Sequence, residues 1–520
     1  MANRFKKIKK HFEIIIKIKN LKSKNKTIYS SKAQPEQKKI HFIGICGVAM
    51  SALAIAFKKA GFTVTGSDVG FFPPVSTNLK KNNINFYPGW HPENIGKPDL
   101  VIVGNVAGST NPEWLYVQKN KLNYKSYPEA IEKFWLKSNS IVCAGTYGKT
   151  TTSALLSFIL TEANYDPSYM FGGITINDFA SAHLGNGNYS VLEGDEYKSS
   201  RWDNKAKFFH YHPTHLLLTD IKWDHADVYP TEQSYFEAFT KLINSIPKNG
   251  LLVASEKILN LKLPNIKYIQ YGQTENCDYQ YFDIEQTKNY INFKISHNSK
   301  IYNLQSPMLG EYMAENITGA FALAHQIGIE PKKIIKAITK FKGIKRRLEK
   351  RYVGQVTIFD DIAHSPAKVK SVLKNLKKIY QDSPEFISKS FKTINKTENI
   401  LKQTQHHNKT RIICIFEPNG GNRQPESIPG YDNNFIDADE IIIPRLTNIK
   451  QDPNKPQNIT GQELANIIAK THPKVKYIDD DNQLINYLTN HTAQNDLIVF
   501  CGSHGFRGMI DELIKHYENS

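Results

Sequence analysis

The sequence predicts an α/β protein of three domains, and three observations carry that prediction. From Lys39 onward short apolar runs alternate with turns and helix-like segments, as in "IHFIGICGVAMSALAIAFKKAG", "FTVTGSD" and "DLVIVGN". That is the rhythm of a parallel sheet with helices on its faces. The chain has 520 residues, more than one core usually fills and a length that suits three. Between Val142 and Leu160, "VCAGTYGKTTTSALLSFIL" passes from an apolar strand through a glycine turn into a helix pattern, with a lysine and three threonines at the corner.

Composition narrows the class. Hydrophobic residues make up 40% and charged residues 22%, a globular balance, and no apolar run approaches the roughly 18 residues that cross a bilayer. Cys46, Cys143, Cys277, Cys414 and Cys501 show no CxxC spacing, which predicts a reduced, cytoplasmic protein without a structural zinc. Of the net charge of +18, residues 1–39 hold +11, leaving +7 for the rest. The body is therefore only mildly basic and carries no nucleic-acid recognition motif. Residues 1–38 are expected to form a solvated, lysine-rich extension rather than a membrane-surface helix, without stable insertion into a bilayer.

The first unit, 39–138, opens with a strand and "GICG", a loose Rossmann-like turn in which Gly44, Cys46 and Gly47 bring a helix N-terminus toward an anion; Ser67 and Asp68 end the next strand. The second, 139–343, contains the lysine corner, then "YSVLEGDEY" and "THLLLTDIKWDHADVY", and closes with helices at "ENITGAFALAHQIG" and "PKKIIKAITKF". The third, 344–520, alternates again through "VTIFDDIAHSP", "RIICIFEPN", "ADEIIIPR" and "NDLIVFCGSHG", and is also expected to be Rossmann-like. Its stretch 381–410 is polar and predicts a mobile surface insertion.

Gly145, Thr146, Tyr147, Gly148, Lys149, Thr150 and Thr151 form a shortened phosphate loop that keeps the GKT end. Glycines let backbone N–H groups turn inward, the helix beginning near Thr150 points its positive end at the anion, Lys149 adds charge, and Thr150 offers a hydroxyl to Mg²⁺. A plain strand-to-helix turn has no need of lysine followed by hydroxyls. In open parallel sheets ligands gather at strand carboxyl ends, which singles out Glu193, Asp195 and Glu196, and Asp224, His225 and Asp227. Carboxylate and imidazole there suit one or two Mg²⁺ ions. His210 and His212 in "HYHP" would share a strand face beside aromatics, and structural roles are favoured for them.

A phosphate-loop unit flanked by units carrying "GICG" plus "TGSD" and "FKGIKRRLE" plus "FDDIAHSP" resembles the Mur ligases of peptidoglycan synthesis over about residues 39–520. "GSDVGFFPPVSTNL", "EGDEY", "KFFHYHPTHLLL" and "WDHADVY" look most like the murein peptide ligase branch. The resemblance implies an ATP- and Mg²⁺-dependent amide ligase that joins the lactyl carboxylate of UDP-N-acetylmuramate to the tripeptide L-alanyl-γ-D-glutamyl-meso-diaminopimelate through an acyl phosphate. The alternatives are L-alanine as acceptor, and a non-catalytic protein that binds the UDP-sugar.

The resemblance further implies that the turn at Gly44 takes the UDP pyrophosphate and that Lys149 clamps the ATP phosphates. Thr150 and Glu193 would hold one Mg²⁺ and His225 a second. Arg347, Asp361 and His364 would arrive from the third domain as nucleotide or substrate contacts. The chain departs from the family pattern in "GEYMAEN", where Tyr312 and Met313 replace a histidine and an asparagine and leave Asn316 to meet adenine. Ser365 stands where many relatives have a second histidine, and Arg423, from a displaced position, and Arg445, each after an apolar strand-like run, are the candidates to grip the acceptor's carboxylates.

Overall fold

The computed structural model describes residues 38–225, 228–258, 266–381, 410–448 and 457–519. The expectations for the basic extension up to residue 37, for the insertion between 382 and 409, and for Asp227 lie outside the described residues. Among the described residues no helix is long and apolar enough to cross a membrane.

Three sheets are built in chain order. The first joins β1 (Lys39–Ile43), β2 (Thr63–Asp68), β3 (Asn85–Pro88), β4 (Leu100–Val103) and β5 (Tyr124–Ser126) in the order β3-β2-β1-β4-β5, all parallel. β4 is buried along its whole length, as expected of a strand covered on both faces. The order reverses beside β1, so the loops after β1 and β4 part and open a crevice at the strands' carboxyl ends.

The middle sheet has ten strands in the order β15-β14-β13-β12-β11-β10-β6-β9-β7-β8. Its parallel centre is β6 (Asn139–Ala144), β7 (Ser168–Met170), β9 (Tyr189–Gly194), β10 (His215–Leu218), β11 (Leu251–Ser255) and β12 (Lys267–Gly272). β8 (Ala182–His183) adds an antiparallel edge. The opposite side extends through β13 (Tyr279–Gln286), β14 (Ile291–His297) and β15 (Lys300–Ser306), an antiparallel meander. Helices Lys149–Glu162 and Glu311–Gln326 pack together under this sheet, and their apolar faces join its largest core.

The third sheet runs β16-β17-β21-β18-β19-β20. Its members are β16 (Glu349–Val353), β17 (Thr357–Asp361), β18 (Ile412–Glu417), β19 (Glu440–Pro444), β20 (Val475–Ile478) and β21 (Leu497–Gly502). Only β16 is antiparallel.

The first and middle units share one apolar core, in which Leu53, Phe57 and Trp135 meet Val142, Leu216 and Phe239. The helix Tyr127–Phe134, started by a Ser126–Glu129 capping box, carries the chain across, and the Trp135 indole donates to the Tyr169 carbonyl at 3.0 Å. A clasp adds to this junction: Trp202 stacks on Trp114 with ring centroids 4.9 Å apart, and Arg201 Nε donates to the Asn105 carbonyl at 3.1 Å.

"HYHP" is not on a strand. His210 lies in a short 3-10 helix, Lys207–Tyr211, and His212 follows it at φ 41°. Glu132 binds both rings, at 2.9 Å to His210 Nδ1 and 2.7 Å to His212 Nε2, and Asp203 takes the other nitrogen of His210 at 2.7 Å. They tie the middle unit to the crossing helix, the structural role the sequence favours.

Candidate active site

The phosphate loop follows from where β6 must turn. Gly145 and Gly148 adopt φ 136° and 81°, open to glycine but strained for other residues. A Cβ on Gly145 would sit 2.3 Å from Thr219 Oγ1, and one on Gly148 would sit 2.4 Å from Asn316 Oδ1. Asn316, expected to meet adenine, therefore packs its carboxamide against the loop itself. Thr146 anchors the loop: its N–H donates to the Asp220 carbonyl at 2.6 Å, and its hydroxyl donates to the Lys222 carbonyl at 2.7 Å and meets the Tyr235 hydroxyl at 2.9 Å. Tyr147 is held by its carbonyl, which accepts from Thr219 Oγ1, and leaves its ring 43% exposed.

The helix begins at Lys149, so Lys149, Thr150 and Thr151 stand in a first turn whose N–H groups lack intrahelical partners. Thr150 Oγ1 donates to Glu193 Oε1 at 2.6 Å, and the Gly172 N–H donates to Glu193 Oε2 at 2.6 Å. Lys149 Nζ meets Glu196 at 2.7 and 3.0 Å. Glu196 is 1% exposed and also accepts from the Tyr235 hydroxyl. Burial lowers the Lys149 pKa, but Glu196, Asp195 and Glu193 more than offset it and leave the value raised, so the group stays charged. Asp195 turns away to Lys207 at 2.5 Å. Glu196 was one of three strand-end acids in the sequence; only the fold selects it as the partner of Lys149.

His225 sits at φ 57° with its N–H on Asp224 Oδ1 at 2.8 Å, and its Nε2 stands 3.6 Å from Glu196 Oε1. Among the described residues no group of three or more His, Cys, Asp or Glu side chains could enclose a metal ion. Mg²⁺ carried by a nucleotide takes one or two protein oxygens and completes its shell with phosphate and water. The Thr150 hydroxyl and Glu193 carboxylate, already 2.6 Å apart, are that kind of donor pair.

The third unit faces this corner through the loop after β17. The His364 Nδ1–H donates to the Ile362 carbonyl at 2.8 Å, which leaves Nε2 as an acceptor. Burial first, then Lys368 and Arg347, lower its pKa, while Asp224 of the middle unit acts in the opposite direction. Asp224 and Lys149 likewise lie within electrostatic reach of Lys368. Arg347 helps line a cavity of about 250 Å³ at the joint between the units, together with Ile176, Met308, Met313, Ile344 and Leu348. Asp361 is oriented inward instead: it is 6% exposed, and its carboxylate accepts from the Leu348 and Ala363 N–H groups at 2.6 and 2.7 Å. It shapes the turn that presents Arg347 and His364.

In the first unit Gly44 takes φ 87°, with a hypothetical Cβ 2.4 Å from Val106. The Ser67 carbonyl accepts from the Gly44 and Ile45 N–H groups at 2.9 and 3.1 Å, and Asp68 accepts from Cys46 and Val69 at 2.8 Å each. Asp68 thereby orders the turn that presents Gly47 and the N-terminus of the helix Val48–Lys59. Burial and Asp68 push the Cys46 thiol up to about 12. Ser67 is fully buried and its hydroxyl donates to Glu113, so its side chain supports the turn from beneath and does not face a ligand. Arg423 is also corrected. It is 4% exposed, bound to the Pro418 and Thr447 carbonyls at 3.0 and 2.7 Å and to Glu417, and braces two loops with no guanidinium edge left for an acceptor.

Three α/β units with a lysine-bearing phosphate loop in the middle one define a nucleotide-binding α/β protein. The family model for the Mur ligase middle domain matches residues 143–324, and that for the Mur ligase family catalytic domain matches residues 39–138. The UDP-N-acetylmuramate–L-alanyl-γ-D-glutamyl-meso-2,6-diaminoheptandioate ligase of Haemophilus influenzae is 33% identical over 346 residues, 65% of this chain and 76% of that protein. The UDP-N-acetylmuramate–L-alanine ligase of Pelagibacter ubique is 28% identical over 486 residues, 89% of this chain and 95% of its own. The crystal structure of a murein peptide ligase from Psychrobacter arcticus superposes with a TM-score of 0.65 at 25% identity, covering 93% of this chain and 99% of that one. The chain belongs to the Mur ligase family.

Proposed function

We propose that this ligase uses ATP to join the lactyl carboxylate of UDP-N-acetylmuramate to the amino group of L-alanyl-γ-D-glutamyl-meso-diaminopimelate, a step of cell-wall peptide recycling carried out in the cytoplasm. The observation that carries the reading is the pair of short contacts at one helix N-terminus, Lys149 to Glu196 and Thr150 to Glu193, facing the His364 loop of another unit. In this reading residues 39–138 receive the UDP-sugar, 139–343 the ATP and 344–520 the acceptor. The similarity to the Haemophilus influenzae ligase favours the tripeptide. The longer match to the alanine ligase keeps L-alanine as the second reading.

The chemistry needs positioned charge more than covalent help. The lactyl oxygen attacks the γ-phosphorus and ADP leaves; the acceptor amine then attacks the acyl carbon and expels phosphate. Lys149 has three N–H donors and spends two on Glu196, leaving one for a phosphate oxygen. The first-turn N–H groups add to it. Mg²⁺, when bound by Thr150 and Glu193, neutralises charge on the phosphate oxygens. Neutral His364 presents a lone pair where the domains meet, and closure of the third unit positions the amine.

The test is phosphate release by the purified protein with ATP, Mg²⁺ and UDP-N-acetylmuramate, comparing tripeptide with L-alanine. The expected result is a preference for tripeptide of at least about tenfold in kcat/KM. Equal or better use of L-alanine would reassign the acceptor.

A further inference from the structure

The helix Pro366–Tyr380, which follows the His364 loop of the third unit, begins against the usual pattern. Ser365 stands at its N-cap but caps nothing with its side chain, no acid lies in the first turn, and the third helical position is Lys368. The helices Tyr127–Phe134 and Gly461–Ile468 start instead on Ser126 and Thr460, with Glu129 and Glu463 at that same third position, each closing a capping box. A glutamate there satisfies a backbone donor and meets the positive end of the helix; a lysine does neither and is repelled. Residues that break a local rule in this way collect at functional sites.

Lys368 is half-buried, and among the described residues neither it nor Arg347 has a hydrogen-bond or salt-bridge partner. Burial lowers the Lys368 pKa; Asp224 opposes the shift, and Arg347 and Lys149 reinforce it. Lys149 opens the helix of the phosphate loop and Asp224 lies past the end of β10, so Lys368 stands at the cleft between the third and middle units. The nearby carboxylates do not neutralise it. Asp224 accepts from the His225 N–H at 2.8 Å, and Asp361 is taken up by the Leu348 and Ala363 N–H groups. Two unpaired cations of the third unit thus gather beside the phosphate-loop lysine in a partly desolvated place, where their repulsion is strong until an anion comes between them.

The anion that the ligase chemistry brings here is the phosphoryl group under transfer. It leaves the ATP held at Lys149, is carried by the lactyl oxygen as the acyl phosphate and departs as inorganic phosphate, and its free oxygens stay negative throughout. We propose that Lys368 is a further catalytic residue, whose ammonium donates to an oxygen of the transferring phosphoryl group from the side opposite Lys149 when the third unit closes. The inference rests on the ligase reading above. No bond to Lys368 forms or breaks; it stabilises charge while the lactyl oxygen attacks phosphorus and again while the amine displaces phosphate.

The test uses Lys368→Met, Lys368→Glu and Lys368→Arg in the full chain. The lysine leaves no partner stranded and opposes the helix dipole, so Lys368→Met should unfold in denaturant at the wild-type midpoint or above it, and Lys368→Glu, which completes a capping box with Ser365, higher still. Activity should move the other way. Lys368→Met should lower kcat for phosphate release at least about tenfold, Lys368→Glu should lower it further, and Lys368→Arg should keep several-fold more turnover than the methionine variant. ADP, which lacks the transferred group, should bind Lys368→Met within about twofold of wild type by calorimetry. A methionine variant whose kcat stays within about twofold of wild type overturns the proposal, as does lost turnover accompanied by lost stability or weakened ADP binding, and wild-type turnover then leaves the ligase reading standing. Wild type that releases no phosphate with either acceptor overturns that reading and this inference with it.

Discussion

Replacing Lys149 with methionine keeps the buried stem and removes only the charge, and the structure predicts separate consequences for catalysis and for folding. In catalysis, the one N–H not committed to Glu196 is lost from the phosphate. A donor aimed at developing charge is worth about 10²–10³ in rate, so ATP-dependent phosphate release should fall by that factor. Binding of UDP-N-acetylmuramate, measured by calorimetry, should stay within a few-fold because that ligand sits mainly on the first unit. A variant keeping more than about a tenth of wild-type turnover has lost under roughly 1.4 kcal/mol from the barrier, and Lys149 would then have no part in the chemistry.

For folding, Lys149→Met strands the carboxylate of Glu196, which is 1% exposed. The lost attraction at 2.7 Å is about 6 kcal/mol at an effective dielectric of 20, and breaking a buried pair costs about 3–5 kcal/mol net. Adding Glu196→Gln removes the stranded charge. The double variant should therefore recover a large part of the stability in denaturant titrations, while its turnover stays at the level of Lys149→Met. A double variant as unstable as the single one would show that Glu196 is not what holds the lysine, and restored activity would show that the charge is not needed.

Two further perturbations read other parts of the molecule. Gly148→Ala puts a methyl 2.4 Å from Asn316 Oδ1 in a left-handed backbone, so nucleotide-dependent protection against unfolding should vanish while UDP-sugar binding persists; retained protection by ATP would mean the loop has room the geometry denies. Glu113 is buried, which raises its pKa against the opposing bonds from Ser67 and the His91 N–H. Its contribution is fully present below the unfolded value near about 4.3 and is lost as pH rises through the higher folded value. Glu113→Gln should then gain stability relative to wild type as pH rises above about 4.3, and a difference that is flat or falls with pH counts against it.

What the sequence made legible, and what it did not, divides along a physical line. The phosphate corner is local: Gly145, Gly148 and Lys149 lie within five consecutive residues, and the backbone that glycine permits is enough to fix the turn. Glu193, Asp195 and Glu196 were legible only as a set, because Glu193 within β9 meets Thr150 while the backbone beyond the strand sends Asp195 to Lys207 and Glu196 to Lys149, where the Tyr229 and Tyr235 hydroxyls donate to Glu196. Arg423 shows the cost of reading a cation after an apolar strand as a ligand group. Two carbonyls and Glu417 capture it six residues past the strand end, and no composition rule distinguishes a side chain that folds back from one that reaches out. Arg507, which shares Asp481 with Arg445, went unread for the opposite reason. "GSHGFRG" has the same apolar strand and glycine-flanked turn that marked the phosphate loop, but its arginine precedes the helix by two residues and lacks the hydroxyls that made Lys149 conspicuous. The shared feature is the carboxyl edge of a parallel sheet, where strands end with their last side chains unpaired across the sheet. A glycine-flanked cation at such an edge is therefore a reason to examine its aim, whether or not a known motif surrounds it.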